Sequence, residues 1–199
     1  MVDELPVVHA PEGRRPRACG SRVPLVNREK EVLLGQLDSQ RRHVLGILEG
    51  LSDEQLRRPV MPSGWNCLGL VQHLALSVEH YWFRCVVAGE PLDFFPEGPN
   101  ADWQVDSGKS AEDVFDLYRD EIARSDAIIT ATSLDAAPKQ PDERWAEWGM
   151  SRGHCWGCTT RDFPDQRSVI MHVITESAVH AGHLDATREL IDGRQWIAL

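Results

Sequence analysis

The stretch Arg167 to Asp192 reads RSVIMHVITESAVHAGHLDATRELID, and the prediction of the fold starts from it. It contains no proline and a single glycine, Gly182, which favours one long helix that ends at Gly193. Asp165 or Ser168 has the side chain to cap its start. At about 100° per residue its aliphatic side chains fall in one arc, as in a helix that packs on a core. The arc consists of Ile170, Val173, Ile174, Ala181, Leu184 and Ile191.

A polar stripe runs beside this apolar arc. Glu176, His180 and His183 lie within about 60° of one another around the helix axis, and His172 lies near the same line. Such i,i+4 and i,i+3 pairs are one turn apart and can point at one metal ion. Ordinary half-buried polar side chains with hydrogen-bond partners would give the same pattern. A metal site would need a further ligand from another helix, and His73 is the candidate.

Apolar residues at helical spacing also predict three further long helices. A short helix is expected after the first of them, because Ser52 to Gln55 has the spacing of a capping box and Pro59 ends it. Two long connections, 90–109 and 133–166, separate the last three long helices. This pattern predicts an all-α protein built as a four-helix bundle. The long helices are predicted from Asn27 or Arg28 to Glu49, from Asn66 to Ala88, from Ala111 to Thr132 and from Arg167 to Asp192.

Three polar residues near these apolar faces have different expected roles. His73 is the strongly polar residue in the middle of its helix, and the stripe around Glu176 favours a ligand over a core histidine with ordinary hydrogen bonds. His80 follows two turns later and is expected at the surface or rim, although it could line the same cavity. Arg188 could bind an anion near the helix end, but it is expected to make a structural ion pair with a carboxylate.

The long connections carry aromatic residues and cysteines. Phe94, Phe95 and Trp103 could close over a pocket, or they could pack as a small cluster under the 90–109 loop. Cys155 and Cys158 form a CxxC motif, which could be a redox dithiol or, with a nearby histidine, part of a zinc site. The motif lacks the βαβ setting of a thioredoxin and a second CxxC, which favours an incidental pair of thiols.

Composition and charge exclude several classes of function. The net charge of −10 does not favour nonspecific binding to nucleic acid or to an anionic membrane. The sequence has no apolar run of transmembrane length, and its first residues do not form a secretory signal. A cytoplasmic protein with cysteines in the thiol form is therefore expected. Residues 1–26 are proline-rich and predict an extended or mobile arm, and residues 27–199 predict the bundle domain.

Two stretches together resemble a known family. They are SGWNCLGLVQHLALSVEHYWF (63–83) and HVITESAVHAGHLDATRELIDG (172–193). They resemble the DinB-like superfamily of metal-binding four-helix bundles, and most closely its actinobacterial mycothiol-dependent transferases. His73 matches the superfamily's histidine in helix 2. The HxxxHxGQ-like run of helix 4 is matched with Glu176 at its first histidine and His183 at its glutamine, a form similar to the N-terminal domain of mycothiol-dependent maleylpyruvate isomerase.

This resemblance implies an up-down-down-up bundle in which His73, Glu176 and His180 hold a divalent metal. Two imidazoles and one carboxylate suit Zn²⁺, with Ni²⁺ or Fe²⁺ as alternatives. His183 would be a fourth ligand, or would hydrogen-bond a ligand or a bound water. If His183 is not a ligand, the three-residue set leaves the fourth position of the metal open, which implies a catalytic rather than a structural metal.

The implied function is a thiol S-transferase. Mycothiol or a similar thiol would bind through sulfur and attack an electrophilic small molecule, with His183 or His80 moving a proton. Two alternatives remain: another metal-dependent enzyme on the same bundle, such as an isomerase or hydrolase, or a noncatalytic stress or redox sensor that uses Cys155 and Cys158. Neither nucleic acid nor membrane is an expected partner. A homodimer is compatible with the helix faces, although no heptad pattern requires one.

Overall fold

The computed structural model describes residues 25–91, 96–98, 100–139 and 163–197 of the chain, with side chains from residue 28 onwards. The described residues form helices and turns and contain no strand, so the predicted all-α class is confirmed. Helix α3 is α-helical over Cys67–His73 and continues over Leu74–Val87 with the wider hydrogen bonding of a π-helix. The helices are α1 (Leu25–Leu48), α2 (Asp53–Arg57), α3 (Cys67–Val87), a 3₁₀ turn (Ala101–Trp103), α4 (Ala111–Ala131) and α5 (Gln166–Asp192).

Local capping chemistry sets most of the helix ends where the sequence predicts them. Ser52 forms the predicted capping box at the start of α2, and Ser110 forms a second one at the start of α4. Asp165 accepts a hydrogen bond from the Ser168 amide at 2.8 Å and starts α5. Gly193 ends α5 with φ of 79°, a left-handed conformation that favours glycine. Helix α1 differs slightly, because it begins two residues before Asn27.

The π-helical part of α3 overturns the expected position of His80. Its amides bond to carbonyls five residues back, as at the helix end, where the Ala88 amide donates to the Phe83 carbonyl at 3.0 Å. Since the turns are wider than those of an α-helix, His73 and His80 no longer share a face. His80 is 2% exposed and pairs through Nδ1 with the Glu121 carboxylate at 3.2 Å. The prediction of a surface or rim residue was wrong.

The long helices enclose one hydrophobic core. Helix α1 packs on α5, and α3 packs on both α4 and α5. The contact between α3 and α5 matters most for function, because it brings together the two stretches that carry the predicted ligands. Fully buried core side chains from these four helices include Leu37, Val44, Leu70, Leu74, Tyr118, Ile129, Ile170 and Leu184.

Two buried arginines tie the helices together. Arg41 donates from Nε and Nη2 to the two carboxylate oxygens of Glu79, both at 2.7 Å, and from Nη1 to Asp126 at 2.7 Å. This network joins α1, α3 and α4. Arg188 donates to the carbonyls of Ile47 and Glu49 at the end of α1, at 2.6 and 2.9 Å. Its Nε and Nη2 also pair with the Asp192 carboxylate at 3.0 and 2.9 Å, so the predicted structural ion pair of Arg188 is confirmed.

Three sequence predictions fall wholly or mostly outside the described residues. Most of the 1–26 arm and the whole Cys155–Cys158 motif belong to ranges whose structure is not described, as do Phe94 and Phe95. Among the helices of the described ranges, none is long and apolar enough to cross a membrane.

Candidate functional site

The structure places the three predicted metal ligands side by side where α3 meets α5. The ring centroids of His73 and His180 are 5.1 Å apart and the rings are nearly perpendicular. His180 Nε2 lies 3.7 Å from Glu176 Oε2. That distance is too long for a hydrogen bond, but two ligands of one tetrahedral zinc ion are also separated by about 3.4 Å.

The three side chains are neighbours without forming a complete coordination shell. Over the ranges that the structure describes, no group of three His, Cys, Asp or Glu side chains is arranged closely enough to hold a metal ion. The ligand set of His73, Glu176 and His180 therefore stays a prediction.

His180 is a neutral imidazole with a buried nitrogen available. Its side chain is 12% exposed, and its Nδ1 is buried without a hydrogen-bond partner among the described residues. Burial lowers the pKa of His180 to about 3, and the nearby His73 and His183 rings add to this effect. Buried polar atoms are almost always paired, so an unpartnered nitrogen here indicates a place for a donor or a cation.

Glu176 is a half-buried carboxylate without a basic partner. Burial raises its pKa, against the opposing influence of His73. His180 and His172 approach its two oxygens at 3.7 and 4.0 Å, and no arginine or lysine of the described ranges pairs with it. A cation between Glu176 and His180 would offset the cost of keeping this carboxylate ionised.

His73 has a built environment that the sequence did not reveal. Its Nδ1 lies 2.6 Å from Asp102 Oδ2, and the Ser77 hydroxyl donates to the same oxygen at 2.6 Å. Burial alone would raise the pKa of Asp102, but the hydrogen bonds from His73 and Ser77 outweigh it, and the pKa is lowered. Trp103 stacks on the His73 ring with centroids 4.2 Å apart.

A close fit between the 3₁₀ turn and α3 positions these residues. Gln72 Nε2 donates to the carbonyls of Asp102 and Gln104, both at 3.1 Å. Gly69 allows the approach, because a Cβ there would overlap the Trp103 carbonyl oxygen. Asp102 lies in an aperiodic loop, 29 residues after His73, so no sequence pattern pointed to the pair.

An open cavity lies beside the histidines. Its volume is about 410 Å³. The two tryptophans on its wall, Trp65 and Trp103, have ring centroids 6.3 Å apart. His183 is exposed, and its ring lies 6.4 Å from Trp65 and 5.7 Å from His180. The cavity is lined by Ser63, Gly64, Trp65, Asn100, Trp103 and Gln104.

His172, the last member of the polar stripe, is part of an aromatic cluster. Its ring lies 4.5 Å from Trp82 and 4.9 Å from Phe163, centroid to centroid. Burial lowers its pKa. His172 therefore packs behind Glu176, and the side chains that gather beside the cavity are His73, His180 and His183.

Comparison with known proteins assigns the chain to a family. Neither curated proteins nor solved structures include a significant match to the chain. A family model described as mycothiol-S-transferase matches residues 32–193, which contain both stretches that meet at the site. The chain therefore belongs to the mycothiol-S-transferase family, a DinB-like family, as the resemblance of its second and fourth long helices predicts.

Proposed function

We propose that the protein is a metal-dependent thiol S-transferase, which joins a thiol of the mycothiol type to an electrophilic small molecule. The observation that carries this proposal is the neutral His180, whose Nε2 lies 3.7 Å from Glu176 Oε2 and whose ring lies 5.1 Å from that of His73, centroid to centroid. Membership of the family supports the transferase reaction and the thiol. The up-down-down-up order of the four long helices is part of the same proposal.

The donor chemistry fits a divalent cation. His73, with its Nδ1 engaged by Asp102, would offer Nε2, and Glu176 and His180 would complete a set of two imidazoles and one carboxylate. This set suits Zn²⁺, with Ni²⁺ or Fe²⁺ as alternatives. When bound, such an ion would lower the pKa of a thiol and hold it as the reactive thiolate.

The remaining site residues would bind substrate and move a proton. The walls formed by Trp65 and Trp103 would hold apolar parts of the electrophile beside the histidines. The sulfur electron pair would form a bond to the electrophilic carbon, and the displaced pair would leave with the leaving group or take up a proton on the substrate. His183 is the better proton carrier, because it is exposed whereas His180 stays neutral at neutral pH.

Metal analysis of untagged protein tests the ligand set. Elemental mass spectrometry should find about one metal ion per chain in the native protein and a large loss in His180→Ala. The double variant Cys155→Ser/Cys158→Ser is the matched control and should keep the metal. Metal that is retained in His180→Ala and lost from the double variant would place the ion at the CxxC motif and contradict the proposal.

Conjugation assays test the reaction itself. The metal-loaded protein should form thiol adducts with at least one of a panel of alkylating electrophiles, and His180→Ala should not. An isomerase or hydrolase on the same donors would instead turn over substrate without added thiol. Full metal content with no thiol adduct from any electrophile would overturn the transferase proposal.

A further inference from the structure

The 3₁₀ turn Ala101–Trp103 contributes a side chain to the site that the family motif does not contain. Asp102 is 5% exposed, and its Oδ2 is 2.6 Å from both His73 Nδ1 and Ser77 Oγ. We propose that Asp102 is a positioning residue, which keeps the His73 proton on Nδ1 and leaves the Nε2 lone pair free for a ligand. The chemical use of that lone pair rests on the proposed function, whereas the tautomer does not.

Hydrogen-bond chemistry determines the direction of this contact. An aspartate carboxylate is an acceptor and has no proton to donate. Ser77 already donates to Oδ2, so His73 Nδ1 must be the second donor at that oxygen. In the opposite tautomer two lone pairs would face each other across 2.6 Å in a buried position, which is strongly unfavourable.

The turn that carries Asp102 is held rigidly enough to orient an imidazole. Gln72 is 3% exposed and binds the carbonyls on either side of Trp103. The Trp103 ring stacks on His73 with an interplanar angle of 22°. The backbone clamp, the stacked indole and the carboxylate together leave the His73 ring little rotational freedom. A carboxylate that holds the far nitrogen of a ligating histidine both orients the ring and makes it a stronger ligand.

A purely structural role for Asp102, as an anchor of the loop on α3, is the competing explanation. An anchor would also be lost on substitution, so stability does not separate the two roles. The position of the His73 proton does separate them, because an anchor could equally be held by a neutral side chain. The deciding measurement is therefore spectroscopic and uses metal-free protein.

Long-range ¹H–¹⁵N NMR of the metal-free full chain, slightly above neutral pH, reports which imidazole nitrogen carries the proton. The His73 signal is assigned by its disappearance in His73→Gln. We expect Nδ1–H in the native protein and a mixture or reversal in Asp102→Asn, because an amide can either donate or accept. Asp106→Asn is the matched control, since Asp106 is an exposed carboxylate of the same segment and should leave the tautomer unchanged.

Zinc affinity by chelator competition gives a second readout. Asp102→Asn should bind zinc about 10–100-fold more weakly than the native protein, and Asp106→Asn should bind it equally well. A native His73 protonated on Nε2 would overturn the positioning role, as would an Asp102→Asn variant that keeps the native tautomer. If the native protein binds none of Zn²⁺, Ni²⁺ and Fe²⁺, the proposed function fails, and the native tautomer still decides the role of Asp102 even where Asp102→Asn does not fold.

Discussion

Burial of His180 changes what its imidazole can do. With its pKa lowered to about 3, the ring stays neutral throughout the physiological range and can act as a ligand but not as a proton carrier. Its neighbour Glu176 shows the opposite sign, because burial raises the pKa of a carboxyl group. At a hydrated surface Glu176 would be fully ionised, and His180 could take up a proton at about pH 6.5 and pair with it. Partial burial instead leaves a neutral imidazole, His180, beside the Glu176 carboxyl group, which has no arginine or lysine partner in the described part of the chain.

The lowered pKa of His180 predicts how stability depends on pH. Between its unfolded value of about 6.5 and its folded value of about 3, the unfolded chain binds the proton more readily, so acidification favours unfolding. From pH 7 to pH 5, the free energy of unfolding of the metal-free native protein should fall by about 2 kcal/mol more than that of His180→Asn. Urea denaturation in the presence of a chelator measures both.

Glu176 also titrates in this pH range, and the comparison with His180→Asn corrects for it. Its raised pKa acts in the opposite direction, since the folded state binds that proton more tightly and loses stability as pH rises above about 4.5. Both proteins contain Glu176, so its contribution largely cancels in the difference. An equal loss of stability in the native protein and in His180→Asn would contradict the lowered pKa of His180.

At the level of the elements, helix α3 provides the surface on which the site is assembled. Gly69, Gln72, His73 and Ser77 meet the 3₁₀ turn along one side of this helix. Beyond His73 the helix changes to π-type hydrogen bonding, and its later polar residues reach α1 and α4 instead. Segments of π-helix are rare and frequently occur at functional sites. Here the change begins directly after a candidate ligand.

Two helical glycines offer a matched test of the fit between α3 and the turn. Gly69→Ala should lower the free energy of unfolding by about 1–3 kcal/mol, because the Trp103 carbonyl must move to admit the new Cβ. Gly182→Ala in α5 should instead raise it by up to about 1 kcal/mol, because an added Cβ would meet no other packed atom of the described residues within 4 Å, and alanine favours the helix. Chemical denaturation compares the two, and an equal effect would contradict the close approach.

At the level of the whole molecule, a buried charge network ties three helices together. Arg41 and Glu79 are 2% and 0% exposed, and their bidentate ion pair joins α1 to α3. Asp126 on α4 is a further partner of Arg41. Such pairs add little net stability when formed, but breaking one leaves a charge in the interior. The network therefore restricts how α1, α3 and α4 can pack on one another.

Removing one partner tests this restriction. Glu79→Gln should cost about 3 kcal/mol of unfolding free energy, since the Arg41 guanidinium would keep Asp126 but lose its buried carboxylate. Glu112→Gln is the control, because Glu112 pairs with Arg119 at 2.7 Å on the surface and should matter by less than about 1 kcal/mol. Similar losses in the two variants, measured by denaturation at neutral pH, would contradict a special role for the buried pair.

Much of the fold could be predicted from the sequence, because helix ends depend on chemistry within a few residues. Ser52 and Asp165 cap their helices as expected, and Gly193 ends the last one. The apolar spacing predicted the helical class and the core face of α5. The motif around Glu176 and His180 predicted the family, and the structure brings His73 beside them, whereas their binding of a metal stays a prediction.

Only the tertiary structure revealed the contacts between residues far apart in the sequence. Asp102 contacts His73 from an aperiodic loop, and Glu79 on α3 pairs with Arg41 on α1. His80 was misplaced because a lone histidine was expected at the surface or rim, whereas the π-helical part of α3 buries its ring against Glu121 on α4. Periodicity and capping report interactions within one or two turns. The partner of a buried polar group is selected by packing between elements, which no local pattern encodes.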